Sequence, residues 1–167
     1  TPFFIRGEGS GQGEYWLVHL SQHPRAQDVM KQVHWQHQNH SIHYGGAGLD
    51  MLASHMMGFR QEFTGGFQFD DVALCQSAEV LPQQLAVHIF ERRQPLQIGE
   101  LYASTCNTSP GTSIMYKQAL ERLSGDQDIV VRSEEGVTRK HAKYMRDTDW
   151  VERSPQAALF SLPRGAE

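Results

Sequence analysis

Within the stretch "KQVHWQHQNHSIHYGG", His34, His37, His40 and His43 recur at a spacing of three. Imidazoles this close together are the raw material of a metal site, with His34, His37 and His40 as its candidate ligands. The spacing argues against that chemistry. Helical metal motifs set histidines four apart, or three and four apart, so that both project from one face. Steps of three turn the direction by about 60° each, so the four rings fan over about half of an ideal helix. Asn39, Ser41 and Gly45 end helical regularity before His43, and no HExxH or accompanying cysteine pair is present. The cluster therefore reads as a helix terminus, where the macrodipole favours imidazolium. His37 falls on the apolar side and reads as a core histidine. A histidine-cluster metal protein stays as an alternative only.

Other candidate chemistry is weaker still. Asp70 and Asp71 in "FDDV" are an acid–base pair by type, but neighbours on a strand face opposite ways, so a solvated turn is the reading. The run "GEGSGQG" at 7–13 has the glycines of a nucleotide loop, yet such a loop must hand its ligand to a helix N-terminus. The strand-like "YWLV" follows instead, so the run reads as a hairpin loop and no cofactor is implied. No GxSxG places a nucleophile on a strand–turn–helix. Cys75 and Cys106 lie far apart without a CxxC, which excludes a zinc ribbon and a disulfide framework but leaves a single bridge open. That cysteine usage fits a reducing cytosol and a cytoplasmic protein. Met51, Met56 and Met57 read as core filler.

These residues must be positioned by elements that the patterning predicts in turn. "PFFIRGEGSGQGEYWLVHL" predicts two strands around a glycine-rich reversal. "SQHPRAQDVMKQVHWQ" predicts a helix, with Pro24 in its first turn and Ala26, Val29, Met30, Val33 and His37 on its apolar face. A glycine-rich link and a methionine-rich stretch follow, then a glycine break and a short strand within "TGGFQFDDVALC". From Leu81 the texture changes. "LPQQLAVHIFERR" predicts a helix, "PLQ" a short extended connector and "IGELYAST" a second helix. Ser109–Pro110 reads as an N-cap and helix-starting proline. "TSIMYKQALERLSGD" predicts a third helix, with Tyr116, Ala119, Leu120 and Leu123 inward. "DIVVRSEEGVTRKH" predicts a hairpin turning at Glu134–Glu135–Gly136. Helix, helix, turn, helix, hairpin is the order of a winged helix-turn-helix, with a domain boundary near residue 80.

Composition sets the outer limits. The 167 residues, 39% apolar and 20% charged, suffice for one ordinary domain or two small ones and do not predict disorder. No apolar run approaches the length of a membrane span, and no basic-then-apolar leader opens the sequence. A chain beginning at Thr1 reads as trimmed from a longer one. The net charge of −4 belongs entirely to residues 1–80, which carry four Lys/Arg against eight Asp/Glu; residues 81–167 carry eleven of each. Neither part has the basic excess by which nucleic-acid binders announce themselves.

The segment "EYWLVHLSQHPRAQDVMKQVHW" resembles the three-Cys-motif partner (TcmP) family, in which an aromatic-apolar strand leads into an HP turn and a helix bearing an MK pair and a tryptophan. The matching residues are Tyr15–Leu20, His23–Pro24, Met30–Lys31 and Trp35, and "HYGGAGLDML" looks like the glycine-rich link after them. The resemblance implies a methyltransferase-like Rossmann domain followed by a winged helix, working beside a radical-SAM partner protein that carries the cysteines of the family name. It makes this chain a C-terminal piece or a shortened relative. The expected fold is therefore α+β, with a short Rossmann-like α/β remnant over 1–80 and a winged helix-turn-helix over 81–167.

In a DNA-binding winged helix the third helix enters the major groove and the hairpin touches phosphates. Thr112, Ser113, Tyr116 and Lys117 on the helix, and Arg132, Arg139 and Lys140 on the wing, are then the candidate contacts to double-stranded DNA. Glu121, Glu134 and Glu135 oppose phosphates there, and the same fold also serves as a protein-docking module. The expected function is a non-catalytic nucleic-acid-binding or partner-docking module. The alternative is a methyltransferase-related enzyme fragment whose cofactor half is absent.

Overall fold

The computed structural model describes residues 2–6, 14–21, 23–37, 41–43, 47–49, 67–92 and 94–155. The β-prone segments flanking the first glycine-rich run form β1 (Pro2–Arg6) and β2 (Glu14–Val18), paired antiparallel from Pro2↔Val18 to Arg6↔Glu14. The other side of β1 takes β3 (Ser41–His43), which in turn pairs with β4 (Phe67–Gln68). The sheet order is β2-β1-β3-β4, with every pairing antiparallel. A doubly wound layer is built from parallel pairs, and none occurs among the described residues. The chain divides into two compact units, residues 1–81 with 102–113 and residues 82–101 with 114–167.

In the first unit, α1 (Pro24–His37) starts at its proline as predicted, but it buries the opposite face. Gln27, Asp28, Lys31 and His34 are inside, at helical spacing, whereas Ala26, Val29 and Val33 face water. Apolar patterning is overridden because Gln27, Asp28 and Lys31 find hydrogen-bond partners inside the unit and His34 packs its ring there. A small apolar cluster of Phe69 and Ala73 packs with Met30, Trp35 and Ala47. His34 stacks on Phe69 at 5.3 Å between ring centroids, and Trp35 meets the same ring edge-on at 4.8 Å. The paired carboxylates at 70 and 71 open a helix, not a turn between strands. Asp70 Oδ1 accepts from the Ala73 N–H at 2.8 Å, an N-cap for α2 (Asp71–Glu91). That helix runs unbroken through Pro82 and across the boundary expected near residue 80.

The chain from residue 82 onward follows the predicted order with additions, residues 102–113 of it belonging to the first unit. After α2 come β5 (Leu96–Gln97), α3 (Ile98–Thr105), α4 (Ser113–Gly125), β6 (Ile129–Arg132) and β7 (Trp150–Arg153). The connector "PLQ" is thus an edge strand, since Leu96 pairs with Val151. The turn at 134–136 exists, with Gly136 at φ +81° and Ser133 bonded to Val137, but it returns only to a single bridge between Arg132 and Thr138. The sustained partner of β6 is β7, residues to which the sequence patterning assigns no role, and the sheet order is β5-β7-β6. Leu96, Val151 and Val131 meet across all three strands and are all buried. The inward face of α4 is as predicted, with Tyr116, Ala119, Leu120 and Leu123 buried. Its C-terminus closes with Gln127 at φ +64° and Asp128 N–H bonded to Leu123 O at 3.0 Å.

The described residues thus form a mixed-helix chain with a small three-stranded antiparallel sheet in the second unit, an α+β arrangement. No described helix is long and apolar enough to cross a membrane. The two faces of α4 give an expectation that thermal or urea denaturation can check. Leu120→Ala loses about 2–5 kcal/mol of stability by opening a cavity, whereas Ile114→Ala, 57% exposed, stays within about 0.5 kcal/mol.

Candidate functional site

Two groups of polar side chains stand out, one in each unit. The first is centred on Lys31, which is fully buried. Its Nζ donates to Cys106 O at 2.6 Å, to Gly111 O at 3.2 Å and to the Tyr102 hydroxyl at 3.5 Å. Tyr102 donates its own proton to Asp28 Oδ1 at 3.2 Å. Asp28 accepts also from Ser113 N–H at 2.6 Å and Ser113 Oγ at 2.8 Å, and from Gln32 at 2.8 Å. The Cys106 thiol donates to Gln27 Oε1 at 3.2 Å, and Trp35 Nε1 to Pro110 O at 2.9 Å. The segment 106–113 is therefore held by α1 along its length. Ser109 does not cap α4; its Oγ accepts from Gly111 N–H within the turn, and the first N–H of α4 goes to Asp28.

Burial pulls the Lys31 ammonium down to about 8, against the opposing influence of Cys106 and the Asp28 carboxylate. Burial also lowers His34 and raises the Cys106 thiol, despite the nearby Lys31 charge. With three donor positions filled and no exposure, Lys31 anchors the turn at 106–111. A buried thiol held protonated is inert as a nucleophile.

The second group lies on the outer side of α4 and on the loop between β6 and β7. Glu121 meets His141 Nδ1 at 3.0 Å and accepts from Ala142 N–H at 2.8 Å, and these two bonds hold its carboxyl below the usual range. Lys117 pairs with Asp147 at 2.8 Å. Asp149, buried, accepts from Arg146 N–H at 2.8 Å and faces Arg139 at 3.7 Å. The loop's carbonyls at 147 and 149 accept the first N–H groups of α3, from Gly99 at 2.8 Å and Ile98 at 2.9 Å. A Cβ on Gly99 would stand 3.1 Å from the Asp147 carbonyl oxygen, so glycine permits that approach. A surface groove of about 570 Å³ lies between loop and helix, lined by Ile114, Lys117, Gln118, Glu121, His141, Ala142 and Lys143.

The predicted DNA contacts are distributed unevenly over these groups. Thr112 is buried and Ser113 is bound to Asp28, both in the first unit. In the second unit Tyr116 is a fully buried core residue. Lys117, Arg132 and Arg139 are each paired with a carboxylate, Arg132 with Glu152 at 2.9 Å. Lys140 is exposed. Among the metal candidates, His34 is stacked in the first unit's core, while His40 and the side chain of His37 lie outside the described residues. No group of three metal-ligating side chains occurs among the described residues. Sequence reasoning missed Asp28, Tyr102 and Cys106, which nothing local announces. It also missed Lys143, Tyr144 and Arg146, although "TRKHAKYMR" is a basic run with an aromatic inside it.

Compared with known proteins, the chain matches no family model, no curated protein and no solved structure.

The depressed Lys31 gives a pH dependence. Between about 8 and the ordinary 10.5 the unfolded chain holds the extra proton, so unfolding free energy rises as pH climbs through that window. At about 1.4 kcal/mol for each pH unit between the two values, the full rise is about 3 kcal/mol. Urea denaturation at stepped pH checks this, with Lys31→Met expected to flatten the rise; equal slopes in both proteins refute the assignment.

Proposed function

We propose that residues 82–155 act as a winged helix-turn-helix, and that the chain is a non-catalytic nucleic-acid-binding module of a TcmP-type, methyltransferase-like protein. The order helix, short strand, helix, helix, strand, strand, with the short strand joined as β5-β7-β6, supports the winged reading. The family part rests on the sequence resemblance. Its residues have a physical rationale, since Lys31 and Trp35 fix the backbone carbonyls of Cys106, Gly111 and Pro110. The Rossmann-like remnant rests on that resemblance alone. The non-catalytic part is supported by the burial of every polar group in the Lys31 cluster whose titration is shifted.

One observation carries the nucleic-acid reading. Residues 137–146 hold four cations, Arg139, Lys140, Lys143 and Arg146, and no carboxylate. Of these only Arg139 is ion-paired within the described residues. Local positive charge therefore survives in a unit whose total is balanced, and phosphates are attracted by local potential. A second reading, docking of the radical-SAM partner protein, draws on the groove beside α4. Its lining mixes both signs around the exposed Ile114. Ile114→Asp should abolish that association, as read by titration calorimetry with the partner, and the absence of any heat of binding with the parent chain overturns the docking reading.

The nucleic-acid reading is tested by fluorescence anisotropy with labelled single-stranded and duplex oligonucleotides. Affinity should fall with salt. Lys140→Ala should weaken binding at unchanged melting temperature. Arg139→Ala should lower stability by about 1 kcal/mol or more, because Asp149 is left buried without its cation. Absence of binding to either oligonucleotide at low salt would sink the reading.

A further inference from the structure

The loop from 137 to 149 is fixed in place by its backbone and by its acids. Arg139 N–H bonds Val131 O at 2.8 Å, Ala142 N–H bonds Glu121, Arg146 N–H bonds Asp149, and Met145 is buried. Glu121, Asp147 and Asp149 are committed to these anchors and to His141, Lys117 and Arg139, while Glu134 and Glu135 are exposed on the turn that precedes the loop. Facing water are Lys140, Lys143, Tyr144 and Arg146, beside His141 and Asp147, whose carboxylate pairs with Lys117 yet stays largely exposed. No carboxylate among the described residues lies within ion-pair distance of those three cations, although the Lys143 charge contributes to holding the Glu121 carboxyl low. Tyr144 is 55% exposed, and the Lys143 ammonium sits 4.7 Å from the centre of its ring.

A rigidly held, exposed aromatic among unpaired cations answers two needs at once. Phosphates require cations, and an unpaired base requires an aromatic face. A duplex keeps its base faces inside the stack and can use only the cations. Entry of α4 into a major groove is opposed by the loop itself, which ties down Lys117 and Glu121 on that helix. Glu121 would also meet phosphates with the wrong sign.

We propose that the loop 140–146 binds single-stranded nucleic acid, with Lys140, Lys143 and Arg146 on its phosphates and one unpaired base stacked on Tyr144. This rests on the nucleic-acid reading above and narrows it from duplex to single strand. The mode is largely independent of sequence, because every base offers a π-face.

The test is anisotropy on the full chain with an oligothymidylate of about 12 nucleotides, within the usual range of such sites, beside a mixed-sequence duplex of equal length. Three phosphate contacts give a slope of log affinity against log salt of about −2 on the single strand. Tyr144→Ala should weaken the single strand about 5- to 100-fold and Tyr144→Phe should retain it, with the duplex little changed by either. Lys143→Ala and Arg146→Ala should each flatten the slope by about 0.7. Lys143 and Arg146 are exposed, so melting curves of their variants should overlay the parent's, and Tyr144→Phe, which keeps the ring's edge contact with His141, is the control for Tyr144→Ala. Single-strand affinity unchanged by Tyr144→Ala, or a duplex bound more tightly than the single strand, overturns the proposal and leaves the broader reading standing. Equal binding of a polyglutamate peptide, insensitive to Tyr144→Ala, would identify an acidic protein partner and overturn it too. Failure to bind any oligonucleotide removes both.

Discussion

A buried ammonium must have all three of its N–H groups satisfied, and in the first unit much follows from that demand. Lys31 could not enter the interior beside apolar residues alone, because an uncompensated charge there is prohibitive. It is instead met by two backbone carbonyls and a hydroxyl. The carbonyls belong to the turn at 106–111, so satisfying the lysine fixes that turn. The hydroxyl belongs to Tyr102, whose own proton goes to Asp28, so a second charge is also drawn inside and requires partners. Ser113 and Gln32 supply them. A half-satisfied version of this network would be worse than an apolar one, whereas the complete one specifies a single register of α1 against the 106–113 segment.

The same demand accounts for the helix face that the sequence pattern misassigned. Ala26, Val29 and Val33 lie along one stripe of α1 and should have been the buried ones by hydropathy. The polar stripe wins because its partners come from positions more than seventy residues downstream, which no local window contains. By contrast the inward residues of α4 were legible, since Tyr116, Ala119, Leu120 and Leu123 owe their burial to ordinary apolar periodicity. Strands β1 and β2, the helix at 98–105 and the turn at 134–136 were legible for similarly local reasons. The pairing of β6 with β7 was not, because Trp150–Arg153 mixes charged with apolar residues and is separated from its partner by a long loop.

Candidate contacts to nucleic acid were legible only as residue types. Formal counting of charge from 81 onward gives zero, and that total hides a spatial sorting. Acids at 121, 147 and 149 are used within the unit to hold α4 and the loop together. Cations at 140, 143 and 146 are not used that way. Over residues 137–146 a balanced sequence thus displays a local excess of cations, with Glu134 and Glu135 exposed on the turn before it, and the pairing pattern decides which of the loop's charges reach solvent as charges.

Strand β7 is central in space and late in the chain. It lies between β5 and β6, which have no ladder to each other. During synthesis the sheet therefore has no middle until residues 150–153 have emerged, and Leu96 and Val131 must wait for Val151 before their shared row can close. Until then the exposed edges of β5 and β6 are open to other chains. The second unit is consequently a late-closing one, in which a break anywhere between 133 and 149 severs the covalent link to the strand on which both of the others depend.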